Sequence, residues 1–105
     1  MKIEITARHC ELDDVVREKA ESLAKKWPRY DGTSSHARIV FEATGAAHTV
    51  DIQVSRDRQE PVAVRGEGAD FRSALDEADD RIRRILRKDK QKRRDHQAEP
   101  ADFPG

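Results

Sequence analysis

The chain is poor in the residues that most often carry chemistry or stacking. Its 105 residues include one cysteine, one tryptophan, one tyrosine and three phenylalanines. With Cys10 alone, no disulfide can close within the chain, and a cytoplasmic setting is the default expectation. Aromatics at 5% argue against a large buried cavity for a cofactor. No apolar run reaches five residues. That excludes a transmembrane helix and the apolar segment of a secretory signal, so no membrane association is expected. A net charge is missing too: Lys plus Arg and Asp plus Glu are each 21. The length allows one domain. Charged residues at 40% against hydrophobic residues at 35% fit a thin, one-sided core.

The zero balance hides a segregation. Residues 1–80 hold 12 basic and 17 acidic side chains, residues 81–94 hold 9 basic and 1 acidic, and residues 95–105 hold 3 acidic and none basic. Charges are screened over about 8 Å at physiological salt. A polyanion would therefore meet the local excess of +8 over 81–94 rather than the neutral average.

Hydrophobic periodicity gives the elements. Lys2–Arg8 alternates, with Ile3, Ile5 and Ala7 on one face, and predicts a half-buried strand. Asp13 is a candidate N-cap. Val16, Ala20, Leu23 and Trp27 recur at helical spacing, so one amphipathic helix of about 14 residues should follow and stop before Pro28. Residues 31–36 read as loop. Strands are expected over about 37–44 and 48–55, with a turn at Gly45-Ala46 that pairs Phe41 with Val50, Ile39 with Ile52 and Ala37 with Val54, whereas a four-residue turn would slip the pairing by two and keep the faces. Pro61 should open a fourth strand carrying Val62 and Val64. Asp70 should cap a last helix whose stripe is Phe71, Ala74, Leu75, Ala78, Ile82, Ile85 and Leu86.

The order β-α-β-β-β-α is an α+β fold. Two helices should cover one face of a four-stranded sheet and leave the other face wet. Asp89 and Arg93 fall on the apolar stripe of the last helix, so this helix is expected to leave the sheet by about residue 88. A helix over 71–92 would be about 33 Å long and would overhang by roughly two turns. Residues 1–94 form the single domain, and 95–105, with two prolines, should be a disordered acidic tail.

Catalytic patterns are weak. His9 and Cys10 are adjacent, and neighbouring strand residues point to opposite faces. Ser34-Ser35-His36 has no nucleophile-elbow context. The four histidines and the cysteine show no paired metal-ligand spacing. Gly66-Glu67-Gly68 lacks the rest of a dinucleotide pattern. The chain is therefore read as non-enzymatic, with no metal and no cofactor.

The basic end of the last helix is the strongest feature. Glu77–Arg81, Asp79–Arg83 and Asp80–Arg84 can pair at i,i+4. Arg87, Lys88, Lys90, Lys92, Arg93 and Arg94 have only Asp89 and Asp95 to share. So many like charges on an exposed helix point to a polyanionic partner. Lys25 and Lys26, ending the first helix, should lie toward the same end of the molecule, while Arg8 flanks the other. With few aromatics on the wet sheet face, contact should be with phosphates and RNA shape rather than stacked bases.

Several segments resemble a known family: Ile5-Thr6-Ala7-Arg8-His9 followed by Glu11-Leu12-Asp13, then Lys26, then Gly68-Ala69-Asp70-Phe71. Most specific is Ala74-Leu75-Asp76 with Asp80-Arg81-Ile82-Arg83-Arg84 and Leu86-Arg87-Lys88-Asp89-Lys90. In this order and spacing, over about residues 2–92, the chain resembles the ribosome hibernation factors, a family of short hibernation-promoting factors and the ribosome-associated inhibitor called protein Y. The resemblance implies a fold similar to a double-stranded-RNA-binding domain. It implies binding in the mRNA and tRNA channel of the small ribosomal subunit, in competition with both, and silencing of translation in resting or stressed cells. It implies rRNA contacts at Arg8, Lys26, Arg81, Arg84, Lys88, Lys90 and Lys92. The charge argument adds Lys25 and Arg87. The chain departs from the family pattern at Phe71-Arg72, Asp89 and Leu23. Off the ribosome it is expected to be a monomer. The alternative is a protein-interaction module whose basic helix modulates a transcription (sigma) factor.

Overall fold

A computed structural model describes the backbone of residues 1–102 and the side chains as far as Arg93. Among the described residues the order is β1 (Lys2–Arg8), α1 (Asp14–Ala24), α2 (Trp27–Tyr30), β2 (Ser34–Thr44), β3 (Ala47–Arg56), β4 (Gln59–Gly68) and α3 (Phe71–Asp102). The sheet runs β1-β2-β3-β4. β1 pairs parallel with β2, and the other neighbours are antiparallel. The helices pack on one face, as the sequence predicts.

The register follows from the apolar alternation. Phe41 pairs with Val50, Ile39 with Ile52 and Ala37 with Val54. Ile3, Ile5 and Ala7 pair with Ala37, Ile39 and Phe41, so the apolar face continues across β1. Fully buried Trp27, Ile39, Phe41, Ile52, Leu75, Ile82 and Leu86 make the core between sheet and helices. α3 packs closely on β4 because Gly66 has no side chain. A Cβ there would collide with the Ala74 carbonyl and come within 2.6 Å of the Ala78 amide nitrogen. Pro61, which lacks an N–H, sits on the edge strand where Val54 pairs with Val62 and Arg56 with Gln59, so a bulge absorbs it.

The helix caps form as expected. Asp13 accepts from the Val15 amide at 2.9 Å, and Asp70 accepts from the Ser73 amide at 2.8 Å. These bonds spend amides that have no partner inside their helices.

Three expectations are corrected. The first predicted helix is two: α1 ends at Ala24 and α2 starts at Trp27. Pro28 lies in the first turn of α2, where its missing N–H costs nothing, so it starts a helix rather than stopping one. The segment 31–36 is not all loop, since Ser34 already belongs to β2. Most consequential, α3 does not leave the body of the protein by residue 88. Asp89 and Arg93 lie on its inward stripe and find ionic partners there. α3 runs to Asp102, past the end expected near 92. The expected disordered tail over 95–105 falls on residues outside those whose side chains are described.

Strand directions fix the ends of the molecule. α1 follows β1 and α3 follows β4, and β1 and β4 finish at the same end of the sheet. Both helices run from that end toward the other, where the β3–β4 turn lies.

Candidate nucleic-acid interface

α3 is held in parallel against α1 and α2. The Lys19 ammonium lies 2.7 Å from Asp76, and the Arg87 guanidinium sits 4.6 Å from the centre of the Tyr30 ring. Both pairs are 57 residues apart, so the two layers keep one register along their length. Between them the buried Trp27 indole donates to Asp79 at 2.8 Å, and Asp79 also accepts from Arg83 at 2.9 Å. The same register places Lys25 and Lys26 level with Ile82 and Arg83. They flank the middle of α3 and do not meet its far end.

Beyond Arg87 the anchor is ionic. Asp31 has no solvent exposure. Its Oδ1 accepts from the Thr33 amide at 3.0 Å, the Thr33 hydroxyl at 2.7 Å and Arg93 Nη2 at 2.7 Å. Its Oδ2 accepts from Arg56 Nη1 at 3.3 Å, and that nitrogen also donates to Asp89 at 2.9 Å. Two carboxylates and two guanidiniums thus neutralise one another. Burial alone would raise the Asp31 pKa. The hydrogen bonds from Thr33 and Arg93 outweigh it and lower the pKa from 3.8 to about 2.

The cations now sort by partner. Arg81 pairs with Glu77 at 3.0 Å and donates to the Arg65 carbonyl on β4. Arg84 pairs with Asp80 at 3.0 Å. Arg93, counted in the sequence among the unshared cations, is bound to Asp31 and structural. Lys88, Lys90 and Lys92 are exposed and have no acidic partner among the described residues. Lys25 and Lys26 are exposed as well. Arg8 is exposed at the other end of the sheet, opposite Glu42 on β2. The structure therefore groups Arg81, Arg84, Arg87, Lys88, Lys90 and Lys92 along α3, sets Lys25 and Lys26 beside its middle, and leaves Arg8 apart.

The cations occupy two flanks of α3. Arg81 reaches β4, and Arg84, Lys88 and Lys92 continue its row at spacings of three and four. Arg87 reaches α2, and Arg83 and Lys90 share its row. Arg29, exposed on α2, extends that second flank. It is not legible in the sequence because a proline at 28 reads as the end of a helix; its signal is spacing, since Arg29 stands four and three residues after Lys25 and Lys26.

The outer sheet face carries no Phe, Tyr or Trp among the described residues. It holds ion pairs instead: Glu4 with Arg38 at 3.5 Å, and Asp51 with Arg65 at 2.8 Å. Such a face offers no platform for stacked bases. Elsewhere, His9 lies in the bend after β1 with φ 57°, and Cys10 Sγ contacts the Phe41 carbonyl at 3.7 Å.

A family described as "Sigma 54 modulation protein / S30EA ribosomal protein" matches residues 3–94. The chain belongs to that family. Within this frame it is 28% identical, over 100 aligned positions, to the ribosome hibernation promotion factor of Rhizobium meliloti (strain 1021). That match covers 91% of this chain and 51% of the relative, so the chain spans about half the length of the curated protein it matches. The fold superposes on the Protein Y N-terminal domain of Thermus thermophilus with a TM-score of 0.75 and 28% identity, covering 84% of this chain and 98% of that domain. A ribosomal subunit interface protein from Coxiella burnetii superposes with a TM-score of 0.75 at 22% identity, covering 87% and 99% of the two chains. Family and fold thus agree with the resemblance carried by the sequence segments. No described helix is long and apolar enough to cross a membrane.

Proposed function

We propose that this chain silences translation by occupying the mRNA and tRNA channel of the small ribosomal subunit, held on rRNA phosphates by α3 and the α1–α2 flank. The observation that carries the reading is the set Lys88, Lys90 and Lys92: exposed, without acidic partners among the described residues, and presented by a helix pinned on both sides of them. Unshared like charges destabilise a free helix, and a phosphate backbone relieves that repulsion. The names borne by its relatives, a hibernation promotion factor and a subunit interface protein, support the ribosome as the partner.

The mechanism is steric and needs no catalytic group. Lys88, Lys90 and Lys92 supply the main attraction. Arg81, Arg84, Arg87, Lys25 and Lys26 extend it along both flanks, with arginines suited to bidentate phosphate contacts. Arg8 makes a separate contact at the far end of the sheet. Silencing of this kind acts in the cytoplasm of resting or stressed cells. The pair Lys88→Glu and Lys90→Glu should abolish co-sedimentation with small subunits while leaving the melting temperature unchanged. Unchanged binding would refute the mechanism.

The other half of the family's description favours a second reading, in which α3 docks an acidic groove on a sigma factor. Ribonuclease treatment of a pull-down separates the two: a protein partner survives it, and an rRNA-held one is lost.

A further inference from the structure

We infer that Arg58, at the tip of the β3–β4 hairpin, is a further RNA-phosphate contact, on an element that carries none of the other contacts. The inference rests on the RNA-binding reading above and adds this hairpin to it.

Arg56 pairs with Gln59, so the turn consists of Asp57 and Arg58. Arg58 has φ 61°, the left-handed region that favours glycine. Among the described residues His9 shares this conformation, with φ 57°. Histidine, with asparagine and aspartate, is enriched there, whereas arginine is not. A turn under selection for folding alone would place glycine or asparagine at 58. A long cation at that position needs another reason.

Its surroundings supply one. Arg58 is exposed and has no hydrogen-bond or ionic partner among the described residues. The turn itself is fixed. The Asp57 amide donates to the Thr33 carbonyl at 2.8 Å, and Arg56 donates to the Glu60 carbonyl at 3.0 Å through Nε. Arg56 also joins the turn to α3 through Asp89 at 2.9 Å. Asp89 lies between Lys88 and Lys90. The hairpin tip and the unshared lysines of α3 are thus held by one side chain at one end of the molecule. An unpaired guanidinium carried on a fixed turn beside that positive segment fits a backbone phosphate, which it can grip in bidentate fashion.

The test is a binding titration with small ribosomal subunits across a range of salt, for the wild type, Arg58→Gly, Arg58→Lys and the pair Lys88→Glu, Lys90→Glu. Glycine suits the left-handed turn, so Arg58→Gly should keep or raise the melting temperature. It should weaken binding several-fold and lower the slope of log affinity against log salt by about one. Arg58→Lys should restore the slope. Wild-type affinity and slope in Arg58→Gly, with binding lost in the lysine pair, overturn the role of Arg58 and leave the broader reading standing. Wild-type binding by the lysine pair overturns the broader reading, and this inference with it.

Discussion

Arg93 Nη2 stands 2.7 Å from Oδ1 of Asp31, a residue 62 positions earlier in the chain and without solvent exposure. This contact ties α3 to the segment that leads into β2. Buried charge is costly unless it is paired and hydrogen-bonded. Here Arg56, itself 5% exposed in its side chain, and Asp89 complete a neutral group. For the proposed RNA contact the consequence is rigidity. Lys88, Lys90 and Lys92 lie between or beside anchored residues, so their charges are presented without ordering a loose helix end on binding.

Replacing Asp31 by asparagine should therefore be destabilising out of proportion to its size. The change leaves Arg93 without a carboxylate and Arg56 with one of its two. The expected cost is about 3 kcal/mol at neutral pH, read by urea denaturation. A loss below roughly 1 kcal/mol, within the range of an exposed pair, would contradict the description of this group.

The acid dependence has a definite sign. The folded pKa of Asp31 is lowered from 3.8 to about 2. Its contribution is present above the unfolded value and is lost as pH falls through the folded one, between about 4 and 2. The expected loss over that window is roughly 2 kcal/mol. Asp31→Asn should lack this component, so the difference in stability between wild type and variant should shrink as the pH falls. A constant difference would show that Asp31 is not the group responsible.

Trp27 and Asp79 make the second anchor, with the indole donating at 2.8 Å inside the core. Trp27→Phe removes the donor and part of the ring. The expected cost is about 3 kcal/mol, with faster amide exchange in α3 around Asp79. Unchanged exchange there would mean that α3 is positioned without this bond.

The sequence shows its strands clearly because each carries one alternating apolar face, and the pairing of Phe41, Ile39 and Ala37 follows from that parity together with a turn at Gly45-Ala46. The core stripe of α3 is equally legible. Asp89 and Arg93 are not. They occupy stripe positions, and charge at such positions reads locally as departure from the core. Asp31, the partner of Arg93, lies 62 residues away in a segment that reads as loop, and Arg56, the partner of Asp89, lies 33 residues away. No local pattern announces an ionic group built from three separate segments. Lys88, Lys90 and Lys92 are visible in the sequence as surplus charge. Separating them from Arg93, which is structural, requires the fold.

Salt dependence offers a test of how many phosphates the interface meets. With about six contacts, affinity for small subunits should fall on the order of a thousandfold between 50 and 200 mM salt. A slope near zero would rule out an interface built on phosphates, and a shallow one would confine it to two or three of the residues named above.

The most direct test of the central claim is co-sedimentation of the protein with small ribosomal subunits, either empty or preloaded with mRNA and initiator tRNA. Occlusion of the channel predicts binding to the empty subunits and its loss on preloading. Equal binding to both, or binding to neither at moderate salt, would contradict it.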